Sequence, residues 1–199
     1  FRSRDDTNAV THACVKGCVF GGGKSGRVKT NTKVTIEGNS TIGINRGNPE
    51  QQLSQEDLAK LQFSGSVYGA GLGSERSVAL YHTPGNTEPL PGPNVGRVYG
   101  NASVYVKNNE KGTPKILNNI YGGGALSGLG TLDDGGNYVA NTGSTYVEMS
   151  GGELGPLDMS GVNAYVFAGG QGQPEYAFKD FGKVNTTHLV VEEGAKVYG

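Results

Sequence analysis

Long hydrophobic runs are missing from this sequence of 199 residues. Its apolar stretches are only a few residues long, whereas a membrane-spanning helix needs about 20 consecutive apolar residues. The sequence also lacks an excess of charge of either sign, with 17 Lys and Arg against 18 Asp and Glu. It contains no basic stripe of the kind that binds nucleic acid. These absences predict that the chain neither inserts into a membrane nor binds nucleic acid.

The two ends of the sequence lack familiar signals. The chain begins at Phe1 without an initiator Met, and its first residues do not resemble a signal peptide. It closes on Val197-Tyr198-Gly199, which repeats a phrase found earlier in the chain. We therefore expect residues 1–199 to form a single domain that is a fragment of a longer repeat protein.

Cysteine is scarce, and the only two are Cys14 and Cys18. A turn at Lys16-Gly17 would bring them within range of a disulfide. A zinc site that includes His12 is the sharper alternative, but the sequence offers no second pair of ligands for it. We expect either a disulfide between Cys14 and Cys18 or two inert thiols.

Glycine, by contrast, is abundant, with 35 residues in the chain, and it lacks the Gly-X-Y period of collagen. Many of these glycines belong to one phrase, in which an apolar and an aromatic residue are followed by small residues. Repetition of this kind indicates stacked units that bury their apolar faces against one another. The phrase occurs at 19–23, 67–71, 98–102, 120–124 and 166–170, and it begins again at 197–199.

A second phrase alternates with the first and has apolar residues at every other position. This period of two predicts β-strands with one buried face, and its β-branched residues favour the same structure. We expect the central residues Val34, Val78, Val104, Val147 and Leu189 to point inward. The phrase occurs at Thr32–Ile36, Arg76–Leu80, Ala102–Val106, Thr145–Met149 and Thr187–Val191.

The alternation of the two phrases predicts an all-β fold, a parallel β-solenoid. Glycines would supply the positive φ angles at its corners. Insertions would leave from one edge, among them a short helix at Ser54–Leu61 and a Pro-rich loop at Thr83–Pro93. The rival folds, a β-sandwich and a β-propeller, fit less well because their turns and blades would recur at steadier spacing.

Two stretches, Val19–Gly38 and Ile120–Gly152, join a VYGGG-like phrase to a following Thr-x-Val-x-Ile-x-Gly-Gly pattern. In this they resemble the glycine-rich repeats of large, adhesin-like surface proteins of gut Bacteroidetes. The resemblance implies a right-handed parallel β-helix and an extracellular or cell-surface location. It carries over no catalytic residue.

Motifs for chemistry are weak. The Gly-Lys-Ser of residues 23–25 lacks the earlier glycine of a phosphate loop and is followed by a predicted strand instead of a helix. Asp133 and Asp134 precede two glycines and are candidates for binding calcium, although Asp-Gly is also ordinary turn chemistry. A glycosidase would need two facing carboxylates, and the candidates are Asp133, Asp134, Glu148, Glu153 and Asp158.

The outward positions of the alternating strands supply the candidate binding residues. Tyr105, Tyr146 and His188 are expected on one outer face, with Glu148 nearby. Aromatic side chains flanked by polar groups are a common way of binding sugars or proteins. The aromatic residues of the first phrase are instead predicted to form a ladder in the core or at a corner, namely Phe20, Tyr68, Tyr99, Tyr121 and Phe167.

The sequence therefore favours a non-enzymatic surface module, adhesin-like or structural, whose partner is a glycan or a host or bacterial surface protein. One alternative is a polysaccharide lyase or glycoside hydrolase built on a β-helix, since a fold alone does not fix function. The other is a filament-forming protein, because uncapped repeats can associate end to end.

Overall fold

The structure is a computed structural model that describes residues 12–46, 64–74, 94–161, 163–172 and 181–199. Within these ranges the regular secondary structure consists of thirteen short β-strands without an α-helix. The described residues include no helix that is long and apolar enough to cross a membrane. Three predicted features lie outside the described residues, namely the helix at Ser54–Leu61, the strand at Arg76–Leu80 and the loop at Thr83–Pro93.

The strands form three parallel sheets, and each strand pairs with the third strand after it. This arrangement confirms the prediction of an all-β chain with parallel strands. Sheet 1 contains β1 (Ala13–Val15), β4 (Ser40–Ile42), β7 (Lys115–Ile116), β10 (Glu153–Leu154) and β13 (Lys196–Val197). Sheet 2 contains β2 (Val19–Phe20), β5 (Val67–Tyr68), β8 (Ile120–Tyr121) and β11 (Val166–Phe167). Sheet 3 contains β3 (Thr32–Glu37), β6 (Ala102–Lys107), β9 (Ser144–Met149) and β12 (Thr186–Val191).

Sheet 3 holds the alternating phrases in register. Val34 pairs with Val104, which pairs with Val147. Leu189 continues the row beside Val147. The first three side chains are buried, whereas Leu189 is 43% exposed because β12 is the last strand of its sheet. The predicted inward row is thus confirmed as buried for Val34, Val104 and Val147, whereas Leu189 shares the register of the row but is exposed. Val78 lies outside the described residues.

All three sheets contribute to one hydrophobic core. Sheet 1 supplies Ile116 and Leu154, sheet 2 supplies Ile120, and sheet 3 supplies Val147 and other residues of its inward rows. Burying a Val, Ile or Leu side chain stabilises a protein by about 1.5–3 kcal/mol. The stacked apolar rows are therefore the main source of stability.

The aromatic residues of sheet 2 stack on one another as predicted. The ring centroids of Phe20 and Tyr68 lie 4.6 Å apart, and those of Tyr68 and Tyr121 lie 4.9 Å apart. Phe167 extends the stack at 4.9 Å from Tyr121. We call these four residues the ring ladder.

Two copies of the aromatic-glycine phrase, those at Val98 and Val197, do not join the row of sheet 2. Val98, which precedes Tyr99, forms bridges with Val28 and Leu129 and not with sheet 2. Val197 pairs with Leu154 in sheet 1, so the closing residues are not a sixth copy of the ring-ladder phrase. An apolar residue before an aromatic residue and a glycine fits more than one bend of the chain. The phrase alone therefore does not fix the pairing partner.

Candidate functional site

The outward side chains of sheet 3 form the candidate site, because strand alternation turns them away from the buried rows. Ser103 pairs with Tyr146, and Tyr146 pairs with His188. In the next outward row Tyr105 pairs with Glu148. The structure thus brings the four predicted binding residues together on one face of sheet 3. That they bind a ligand stays a prediction.

The rings of this face stack along the sheet. The centroids of Tyr146 and His188 are 5.0 Å apart with the ring planes 7° from parallel. Tyr105 is tilted against Tyr146, with the ring centroids 5.6 Å apart. At the other end, the Nζ atom of Lys33 lies 4.8 Å from the centre of the Tyr105 ring, within the range of a cation–π contact. We call Tyr105, Tyr146 and His188 the aromatic column.

This stacking decides which parts of the rings a ligand meets. Tyr146 has Tyr105 on one side and His188 on the other. Its ring therefore offers mainly its edge and its hydroxyl group to solvent. Because β12 is the last strand of sheet 3, no described strand follows His188. The outer face of the His188 imidazole ring is therefore open to a ligand.

Glu148 is tied to the column by a hydrogen bond. The Tyr146 hydroxyl donates to Glu148 Oε2 over 2.9 Å. This bond is the main cause that raises the pKa of Tyr146, because it stabilises the protonated phenol. The contact fixes the position of the Tyr146 hydroxyl at the surface of the sheet.

A groove of about 530 Å³ runs beside the column where the strands of sheet 3 begin. Most of its side chains carry hydroxyl or amide groups, which both donate and accept hydrogen bonds. We call it the polar groove. It is lined by Asn31, Thr32, Asn101, Ala102, Ser103, Ser144, Thr145, Tyr146, Thr186, Thr187 and His188.

A polar ladder forms the floor of the groove. Asn31 Oδ1 accepts from the backbone N of Asn101 over 2.8 Å, and Asn101 Oδ1 accepts from the backbone N of Ser144 over 2.9 Å. The Thr186 hydroxyl then donates to Ser144 Oγ over 2.7 Å. Sequence reasoning missed this ladder. Its signal was the polar residue at the same position in each repeat, at the start of the strand or just before it.

Asp133, one of the two predicted calcium ligands, stabilises a turn through its side chain. Its Oδ1 atom accepts from the backbone N of Asn137 over 2.8 Å and from the backbone N of Gly135 over 3.0 Å. These bonds, with that from Asn137 foremost, lower the pKa of the Asp133 carboxyl group. Nowhere in the described ranges do three His, Cys, Asp or Glu side chains gather as metal ligands. Calcium at Asp133 and Asp134 stays a prediction.

The predicted disulfide between Cys14 and Cys18 is absent, since both cysteines are thiols. Cys14 lies in β1, in which all three residues are exposed. Cys18 packs against the cluster around Tyr68 instead, and burial raises the pKa of its thiol. Of the two expected states, a disulfide or two thiols, the structure therefore has two thiols, because Cys18 packs in this cluster while Cys14 stays exposed.

The carboxylates proposed for a glycosidase pair are spread over different elements. Glu148 lies on sheet 3, beside Tyr146. Glu153 lies on sheet 1, with Lys196 Nζ 3.3 Å and Lys115 Nζ 3.7 Å from its carboxylate oxygens. Asp133 caps its turn. Each of these three groups therefore has a local role away from the other two.

Comparison of the chain with protein-family models, with curated proteins and with solved structures returned no match in any of the three. Function is therefore inferred from the groove and the side chains around it.

Proposed function

We propose that this chain is a non-enzymatic surface module that binds glycans in the polar groove. The observation that carries the proposal is that Tyr146 and His188 both line the groove and form the aromatic column. Concave sites with a few convergent polar groups and an aromatic wall are typical ligand sites. A sugar suits this one because its hydroxyl groups match the Ser, Thr and Asn side chains of the lining.

The proposed contacts divide between two parts of the site. Hydroxyl groups of the sugar bond to the floor of the groove, at Ser144 and Thr186. The apolar side of a sugar ring rests on the outer face of His188, while the tyrosines of the column contribute edges and hydroxyl groups.

We also propose that the three sheets close into a right-handed parallel β-solenoid. Support comes from the pairing of each strand with the third strand after it and from the core that all three sheets share. Crossover connections between parallel strands are right-handed in about 98% of cases. The solenoid gives sheet 3 a continuous outer surface on which one ligand can touch several repeats.

The proposed location is extracellular or at the cell surface, and the proposed role is adhesin-like. Support for both is the resemblance of Val19–Gly38 and Ile120–Gly152 to repeats of bacterial surface proteins. An enzyme on the same scaffold has less support, because Glu148 and Glu153 lie on different sheets and have their own partners.

A glycan array followed by calorimetry tests the binding proposal. The wild-type chain is expected to select glycans from the array, and His188→Ala is expected to weaken binding about tenfold, or ~1.4 kcal/mol. Tyr165→Ala is the matched control, since Tyr165 is also an exposed aromatic residue (49%) but lies outside the groove. No selected glycan, or equal affinities for the wild type and His188→Ala, would overturn the proposal. Release of sugar products during the assay would overturn its non-enzymatic part.

A further inference from the structure

A second cavity, of about 560 Å³, is lined by Arg27, Lys29 and Tyr99. Val28 pairs with Val98 and packs inward, so its neighbours Arg27 and Lys29 project outward. Both cations are exposed, and Tyr99 beside them is half-buried. We call this the basic cavity.

The side chains of the basic cavity are arranged to receive an anion. Arg27 Nη1 donates to the Tyr99 hydroxyl over 3.3 Å, which places the guanidinium beside that hydroxyl group. A guanidinium has five N–H donors, so this contact leaves others for a ligand. Among the described residues, neither Arg27 nor Lys29 has an acidic partner in an ion pair. The chain as a whole has a net charge of −1, so this positive region is local.

The residues of the basic cavity immediately precede those of the polar groove along the chain in two of its repeats. Lys29 is two residues before Asn31, and Tyr99 is two residues before Asn101, and both of these Asn residues line the groove. Lys33 follows Asn31 after one further residue and projects from sheet 3 against the ring of Tyr105. The first repeat therefore carries cations on both sides of Asn31.

We infer that the ligand of the polar groove is an acidic glycan, whose carboxylate or sulfate group is bound in the basic cavity. This inference rests on the proposed function and specifies its ligand class. The guanidinium of Arg27 pairs with the planar edge of a carboxylate or with two sulfate oxygens, and Lys29 adds a second charge. The sugar that carries the anion lies against Tyr99, and the neighbouring sugars continue into the groove.

The test compares a neutral glycan with its carboxylated and its sulfated counterparts, each titrated against the wild-type chain. The wild type is expected to bind at least one acidic form about tenfold or more tightly than the neutral form, as charge-assisted hydrogen bonds predict. This ratio is expected to fall as salt is added, because the cations are exposed. A preference for only one acidic form supports the inference and identifies the anion.

The double variant Arg27→Gln/Lys29→Gln locates the effect. Its ratio of acidic to neutral affinity is expected to fall to about one, since the charge attraction is removed. Lys111→Gln is the control, because Lys111 is an exposed cation outside both cavities, and it should retain the ratio of the wild type.

The outcomes separate this inference from the proposed function. If the wild type binds neutral and acidic glycans equally, the inference is overturned and the glycan-binding proposal stands. If the double variant keeps the preference for acidic glycans, the anion lies elsewhere and the inference is overturned. If the wild type binds no glycan in either form, both fail together.

Discussion

Gly122 lies against the backbone carbonyl of Ala168 in the next repeat, so that a Cβ atom built on Gly122 would be 2.2 Å from the carbonyl oxygen. The same relationship joins Gly21 to Gly69 and Gly69 to Gly122, at 2.2 and 2.1 Å. Each of these glycines follows a residue of the ring ladder. The distance between neighbouring repeats therefore requires glycine here, without any need for a positive φ angle.

The substitution Gly122→Ala is expected to lower the free energy of unfolding by about 1–3 kcal/mol, as overpacking does in a rigid interior. Backbone atoms cannot move aside as a flexible side chain would. Gly169→Ala is the control, because a Cβ atom there meets no other atom within 4 Å. Urea denaturation of the two variants checks this. Equal stability would show that the repeats are not stacked at this distance.

Ala168 occupies the position that glycine holds in the three earlier repeats. We therefore expect the chain to resist end-to-end assembly of its copies. A second copy stacked in the same register would bring the carbonyl of its Gly21 onto the Ala168 Cβ atom. Phe167 and Leu189 nevertheless expose apolar surface at this end, at 41% and 43%. We expect Ala168→Gly to self-associate more than the wild type in sedimentation experiments. Filaments of the wild type with this register would contradict the prediction.

The burial of the Tyr68 phenol predicts that the fold loses stability at alkaline pH. Burial raises its pKa far above the ordinary value of about 10, and burial also raises the pKa of Tyr121. The folded chain then retains protons that the unfolded chain loses. Stability is full below pH ~10 and falls as the pH rises above that value. Unfolding measured at several alkaline pH values should show this fall.

The Tyr68→Phe variant isolates the contribution of the Tyr68 phenol. It keeps the ring between Phe20 and Tyr121 but removes the hydroxyl that donates to Gln171 Oε1 over 2.5 Å. Near neutral pH it should be less stable by about 0.5–1.5 kcal/mol. Its stability should decline less steeply than that of the wild type at alkaline pH. An unchanged decline would contradict the claim that the buried Tyr68 phenol causes the loss of stability.

The lowered pKa of Asp133 predicts that the stability of the fold also depends on pH in the acidic range, more weakly than at alkaline pH. Because its folded pKa is lowered, it stabilises the fold above its unfolded value of about 3.9, and this contribution is lost as the pH falls. Asp133→Asn should reduce the acid sensitivity of the turn, measured by amide exchange at Gly135 and Asn137. Asp134→Asn is the control.

A calcium titration separates the two roles considered for Asp133, a calcium ligand and a turn residue. If calcium raises the melting temperature of the wild type but not of Asp133→Asn, the result supports calcium binding at Asp133.

Much of sheet 3 and the ring ladder could be predicted from the sequence, because both depend on local periodicity. The alternation around Val104 and Val147 identifies the buried face, and it places Tyr146 outward at the same time. The recurrence of aromatic residues before glycine likewise predicts the stack that contains Tyr68 and Tyr121.

The assignments that failed depend on partners distant in the chain. Tyr99 follows the same local phrase as Tyr68, but its neighbour Val98 pairs with Val28 across 70 residues, in a different row. Insertions of unequal length separate the repeats, so spacing does not reveal which copies pair. The basic cavity was missed for the same reason, since Arg27 and Tyr99 meet only when these two repeats are aligned.

The most direct measurement of the central claim is the location of a bound glycan by the backbone amide shifts of the labelled chain. A glycan selected by the wild type should shift amides at Asn101–Tyr105, Ser144–Glu148 and Thr186–His188, which surround the polar groove and the aromatic column. Amides of the ring ladder in sheet 2 should stay unchanged. Shifts confined to sheet 1 or sheet 2 would contradict the account.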